Sequence, residues 1–169
     1  MKKKIVFMIS AALLFQACTY AISPDLAKQA DKNISFASLE NDPESHKGKL
    51  VILGGTISRT YTVRQVTVIE VIQKSLDYWG RPMRTKQSGG TFMVIARRSL
   101  DPLVYAPGRE ITVAGEVEGL RSSELGETEY AYPILVSKEL KLWERIQPSL
   151  ERPQYLDPLY NPYTSPREY

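Results

Sequence analysis

Between Lys49 and Trp143 the apolar positions alternate with polar ones or run unbroken, and nowhere keep a helical period for ten residues, which predicts strand after strand. Lys49 to Ser58 carries Leu50-Val51-Ile52-Leu53, then Gly54-Gly55, then Thr56-Ile57. Gln65 to Gln73 is β-branched almost throughout, and Thr91 to Arg97 sets Phe92 and Val94 on one face against Met93 and Ile95 on the other. Glu110 to Glu118 alternates most cleanly, with Ile111, Val113 and Val117 on one side and Glu110, Thr112, Glu116 and Glu118 on the other. Tyr132 to Trp143 is the fifth strand, with Ile134 and Val136 early and Leu140, Leu142 and Trp143 late. Two glycines inside the first strand signal a bulge, a sharp coil in a barrel wall, or the close approach of another backbone.

Shorter elements surround these strands. Ser23-Pro24-Asp25 supplies a cap and a proline for a short helix through Ala30, and Asp42-Pro43 repeats that signal for a single turn ended by Gly48. Asn33 to Leu39 reads as a short extended piece with Ile34, Phe36 and Leu39 as its contacts. Ser99 to Val104 carries another Asp-Pro start, predicting one helical turn, and Pro107-Gly108 forms the turn into the fourth strand. Five strands with glycine kinks and a helical insertion between the third and fourth predict a mainly β domain, an OB-like five-stranded β-barrel; an open sandwich would use the same strands.

The ends of the chain have a different character. Lys2, Lys3 and Lys4 precede an apolar run, Ile5 to Phe15, which at eleven residues is too short to span a bilayer as a helix. The run leads through Gln16 and Ala17 to Cys18, the only cysteine in 169 residues. An ordinary secretory signal wants small residues at −3 and −1, which Phe15 does not suit, whereas Ala17 followed by Cys18 fits cleavage before a lipidated cysteine. The thiolate accepts a diacylglyceryl group as a thioether, and cleavage frees the Cys18 amine for a further acyl chain. These covalent groups are the only cofactor expected.

The predicted organisation is a signal peptide over 1–17, a tether with a short helix over 18–32, the barrel over 33–147, and a tail over 148–169. In that tail prolines fall at 153, 158, 162 and 166 among Tyr155, Tyr160, Tyr163 and Tyr169. Such spacing excludes helix and central strand and predicts an extended strip, either a docking segment or a cover for the barrel. Removing the leader takes away three lysines, so the net charge of +3 becomes a balance of 19 basic against 19 acidic residues. That removes the electrostatic argument for nucleic-acid binding.

Candidate chemistry is sparse. His46 is the sole histidine and sits in a turn, so the usual zinc sites cannot be built, and there is no nucleophile elbow, phosphate loop or HExxH helix. Glu116 and Glu118 read as solvated carboxylates, and the chain is read as no enzyme. The loop from Leu76 to Gly90 brings together Tyr78, Trp79, Arg81, Arg84 and Lys86, an aromatic and basic set of the kind that binds linear polymers on OB barrels. The other reading is an ordinary exposed hairpin with one tryptophan folded back on the barrel.

Gly54-Gly55, Gly80-Arg81-Pro82, the stretch Leu100 to Arg109 with its Asp-Pro-Leu-Val-Tyr-Ala-Pro-Gly, and Val113 to Val117 occur together in this chain. With Gly126-Glu127, Tyr130, Tyr132-Pro133 and Leu142-Trp143, they resemble the Slp family of bacterial outer-membrane starvation lipoproteins across essentially the whole mature domain. The resemblance implies a place on the inner, periplasmic face of a Gram-negative outer membrane. Thr19 agrees with it, since an Asp after the lipidated cysteine marks retention at the inner membrane. It supplies no catalytic residue. The expected partners are outer-membrane lipid and the lipoprotein processing and sorting machinery. Two function classes follow: a non-catalytic structural or stress-related lipoprotein, or a tethered OB-type module binding a cell-wall saccharide such as peptidoglycan or an envelope protein.

Overall fold

The computed structural model describes residues 20–125 and 128–145, with side chains described outside 120–131. The leader, Ala17, Cys18 with its expected lipidation and cleavage, and the tail 148–169 lie outside the described residues.

Five strands close into a barrel in the order β1-β2-β3-β5-β4, with β4 returning to β1: β1 (Leu50–Val63), β2 (Val66–Gln73), β3 (Thr91–Ala96), β4 (Glu110–Leu125) and β5 (Thr128–Leu142). All neighbours are antiparallel except β3 and β5, which run parallel where the barrel shuts. This is the OB topology, so the closed form of the two sheet arrangements is the one adopted. Inward positions follow the alternation of the sequence: Ile57, Ile69, Val71, Phe92, Val94, Ile111, Val113 and Val117 form one core cluster, each almost wholly buried. Each such side chain contributes about 1.5–3 kcal/mol by leaving water.

Several boundaries differ from the sequence reading. The segment Asn33 to Leu39 is not extended: α2 (Phe36–Asn41) follows α1 (Pro24–Gln29), and Ser35 caps α2 by accepting a hydrogen bond from the Ser38 amide at 3.1 Å. Phe36 and Leu39, three apart on one helical face, both enter the barrel core, the Phe36 ring lying 6.0 Å from Phe92. Six residues are too few for periodicity to declare a helix, and the cap is its one local signal. The expected helical turn after Asp101 forms as one hydrogen-bonded turn, with the Asp101 carbonyl accepting from the Val104 and Tyr105 amides and its carboxylate from Leu103. Glu44–His46 forms the expected single 3₁₀ turn before Gly48.

The strands also outrun their predicted ends. β1 continues past Ser58 because a bulge between Ile57 and Arg59 restores its pairing with β2. A two-residue turn then follows, Arg64 and Gln65 both with positive φ (46° and 69°), so Gln65 belongs to the turn and not to the strand. In β5 it is Leu135 that faces the core, while Ile134 packs outward with Val68 and Met93. A register shift near Ala114/Gly115 then brings Leu140 and Leu142 back to the core side. Pro107 and Gly108 (φ 83°) make the expected turn, closed by Arg109 N–H donating to the Ala106 carbonyl at 3.2 Å.

Of the three meanings of Gly54-Gly55, close approach is the one realised. A Cβ on Gly54 would meet Leu76 Cδ2 at 2.6 Å and the Ile111 carbonyl at 2.9 Å, and one on Gly55 would collide with the Ile72 carbonyl. Gly48, by contrast, has open space around it and only a left-handed φ of 78°. Gly55→Ala is therefore expected to cost about 3 kcal/mol or more by overpacking against backbone, and Gly48→Ala about 1–2 kcal/mol by strain alone. Urea unfolding of the two variants measures this; equal losses would contradict the close-approach account.

Candidate functional site

The β2–β3 loop doubles back on itself at Asp77. One Asp77 carboxylate oxygen accepts from the Trp79 amide at 2.9 Å and the Arg81 amide at 2.8 Å, the Asp77 amide donates to the Arg81 carbonyl, and Gly80 turns the chain with φ 80°. An Asp side chain that satisfies two loop amides makes a rigid tip without regular secondary structure. Behind the tip Leu76 and Pro82 form an isolated bridge, and Lys74 Nζ donates to the Thr85 and Gln87 carbonyls at 3.0 and 2.8 Å.

Glu110, the first residue of β4, holds this loop to the barrel. Its carboxylate accepts from Arg81 Nε at 2.7 Å on one oxygen and from Arg84 Nε at 2.8 Å on the other. The Arg81 guanidinium also lies 5.2 Å above the Trp143 ring and donates to the Glu144 carbonyl. Beneath it Thr112 is fully buried; its hydroxyl donates to the Gly80 carbonyl at 2.6 Å and accepts from Trp143 Nε1–H at 2.9 Å. Burial pushes the Glu110 carboxyl up, but the hydrogen bonds and charges of the two arginines outweigh that and hold it below the ordinary glutamate value.

The N-terminal segment docks on the same loop. Ala21 N–H donates to the Trp79 carbonyl at 3.3 Å, Ser23 N–H to the Glu139 carboxylate, and Asp31 N–H to the Leu50 carbonyl. Ala21 and Ile22 are buried in a cluster with Ala114, Ile52, Leu26 and Trp143. The stretch read as a tether is thus, from Ala21 onward, a strap laid on the barrel wall. Ser23 stands at the cap position of α1, yet no side-chain capping bond forms there.

Four of the five loop residues singled out from sequence separate into two pairs, and the fifth, Lys86, stands apart. Arg81, partly buried, and Arg84, still exposed, both bond Glu110 and hold the loop. Tyr78 and Trp79 turn outward at 80% and 50% exposure, their rings edge to face at 5.2 Å, with the Tyr20 ring 6.3 Å from Trp79. Lys86 is exposed farther along the loop. Tyr20, Glu110 and Thr112 were not among those candidates; 26 to 29 residues separate Glu110 from its arginines, so only the barrel topology brings them together. Elsewhere, His46 sits in its turn, and among the described residues no group of three or more His, Cys, Asp or Glu is placed to hold a metal. Glu116 is held below the ordinary glutamate range by a hydrogen bond and charge from Lys138, 2.8 Å away.

Residues 15–169 match the profile of the family described as "Outer membrane lipoprotein Slp family". The chain is 25% identical over 118 residues to the uncharacterized lipoprotein YeaY of Escherichia coli K12, a match covering 70% of this chain and 61% of that protein. It is 26% identical over 144 residues to an uncharacterized protein of Haemophilus influenzae Rd, covering 85% of this chain and 78% of that one. Among solved structures, a small single-stranded DNA-binding protein from Streptomyces coelicolor covers 55% of this chain and 92% of its own length, at 13% identity and a TM-score of 0.37. The mitochondrial single-stranded DNA-binding protein Rim1 of S. cerevisiae gives the same TM-score, 0.37, at 11% identity, covering 58% of this chain and 97% of its own. Likenesses this distant say nothing of what this chain binds.

Because the Glu110 carboxyl titrates lower in the folded than in the unfolded chain, its stabilisation is complete above the ordinary glutamate range and is lost as pH falls through the folded value. Glu110→Gln is expected to lower stability at neutral pH by about 1–3 kcal/mol and to flatten the loss of stability below roughly pH 4.3. Denaturant titrations across pH check this, and parallel profiles for the two proteins would contradict it.

Proposed function

The chain belongs to the outer membrane lipoprotein Slp family, and from that premise we propose that Cys18 carries its diacylglyceryl and N-acyl groups and that the barrel is a non-catalytic structural or stress-related module facing the periplasm. The observation that carries the anchor is the position of Cys18: the only thiol of the chain follows directly on a basic and apolar leader, three residues before the buried Ala21. One acyl chain holds a protein weakly, whereas two or more, at about 0.8 kcal/mol per buried CH₂, hold it stably. Supporting the non-catalytic reading, the carboxylates with shifted titration are engaged in ion pairs, Glu110 with Arg81 and Arg84 and Glu116 with Lys138.

The alternative, a tethered module for a saccharide or an envelope protein, would draw on the loop's aromatic and basic set. Arg81 and Arg84 are both bound to Glu110, which leaves Tyr78, Trp79 and the exposed Lys86 as the part of that set most open to a partner.

Intact-mass analysis of protein extracted from the envelope tests the anchor. The expected species begins at Cys18 and carries the mass of its acyl chains, while Cys18→Ser lacks that mass and leaves the membrane fraction. A processed chain that begins elsewhere and bears no acyl mass would overturn the proposal.

A further inference from the structure

We propose that the rigid aromatic tip formed by Tyr78 and Trp79, together with Tyr20, is a bilayer-contact surface that seats the barrel against the membrane to which Cys18 is anchored. The inference rests on the anchored reading above and adds to it a second point of contact.

Three observations converge on this surface. Tyr20, Tyr78 and Trp79 are 52%, 80% and 50% exposed and in ring contact, and they border a shallow groove lined by Ala21, Ile22 and Leu76. The tip does not collapse onto the barrel to hide its rings, because the Asp77 carboxylate, the Thr112 hydroxyl and the Arg81–Glu110 pair fix its backbone from behind. Last, Cys18 stands two residues before Tyr20, so at no more than about 3.6 Å per residue its backbone lies within roughly 7 Å of that of Tyr20 and keeps the anchor beside this surface.

A bilayer is the occupant that fits these features. Tyrosine and tryptophan partition to the membrane interface because an apolar ring and a polar O–H or N–H suit the boundary between acyl chains and headgroups. The exposed Lys32 also borders the groove and suits the phosphates of that boundary. A lipid anchor alone leaves a domain free to tumble on its stem. A rigid aromatic edge beside the anchor enters the interface at small entropic cost, since anchor and tip are already held together.

The contact can be tested apart from acylation in the cell. A chain beginning at Cys18 is coupled through this sole thiol to a maleimide-headgroup lipid in vesicles of phosphatidylethanolamine and phosphatidylglycerol. Trp143→Phe leaves Trp79 as the only tryptophan. Its emission is expected to shift to the blue on coupling and to fall by about half when lipids brominated high in the acyl chain replace ordinary ones, as for an interfacial indole. Should Trp143→Phe fail to fold, the difference between the unsubstituted chain and Trp79→Phe gives the same readout. Unshifted emission that brominated chains leave undimmed would overturn the contact, including where the tip instead faces a protein or saccharide. An envelope-extracted protein without acyl mass would count against the anchor and leave this result standing on its own.

Discussion

The carboxylate of Glu110, gripped from both sides by Arg81 and Arg84, is the interaction on which the outer architecture of this barrel depends. The β2–β3 connection from Lys74 to Gly90 is long for a compact domain, and loops of that length without regular structure are ordinarily functional or loosely held. Here it is fastened at the start of β4, and Arg81 adds a stacking contact on Trp143 that a lysine would not reproduce with the same planar geometry. Because the loop is held, the Trp79 carbonyl is in place to receive the Ala21 amide, and the N-terminal strap has a fixed line to follow.

That arrangement links the barrel to its route out of the core. Thr112 lies on the outward face of β4, where alternation places polar residues, yet it is fully buried under the loop and the Trp143 indole. Its hydroxyl joins the Gly80 carbonyl to the Trp143 indole, so both polar groups are satisfied under that cover. One stretch of β4 thus serves two packing layers: Ile111 and Val113 inside the barrel, Thr112 beneath the loop and Ala114 beneath the strap. The aromatic tip stands at the outer limit of the second layer, beside the point where the chain leads back to Cys18.

The barrel was largely legible because alternation reports directly which side of a strand is buried, as at Phe92, Val94, Ile111 and Val113. Pattern failed where a local device resets it: the Ser58 bulge that prolongs β1, the shift in β5 that brings Leu140 and Leu142 to the core side, and the Ser35 cap that makes a helix of Phe36 to Asn41. Arg64-Gln65 also escaped notice as a turn, since neither is the glycine or asparagine that advertises positive φ. Within the site, residue type alone identified Tyr78, Trp79, Arg81 and Arg84 as notable but could not separate the holding arginines from the presented rings. That division depends on where β4 begins in space.

The central claim, that loop, strap and barrel wall form one rigid unit around Glu110, is tested most directly by residue-resolved amide hydrogen exchange on the lipid-free protein. The amides of Ala21, Asp77 and Arg81 are expected to be protected to a degree approaching those of β1, and to lose that protection together in Glu110→Gln while the inner strands keep theirs. Exchange of these three amides at the rate of an open peptide in the unsubstituted protein would contradict the account.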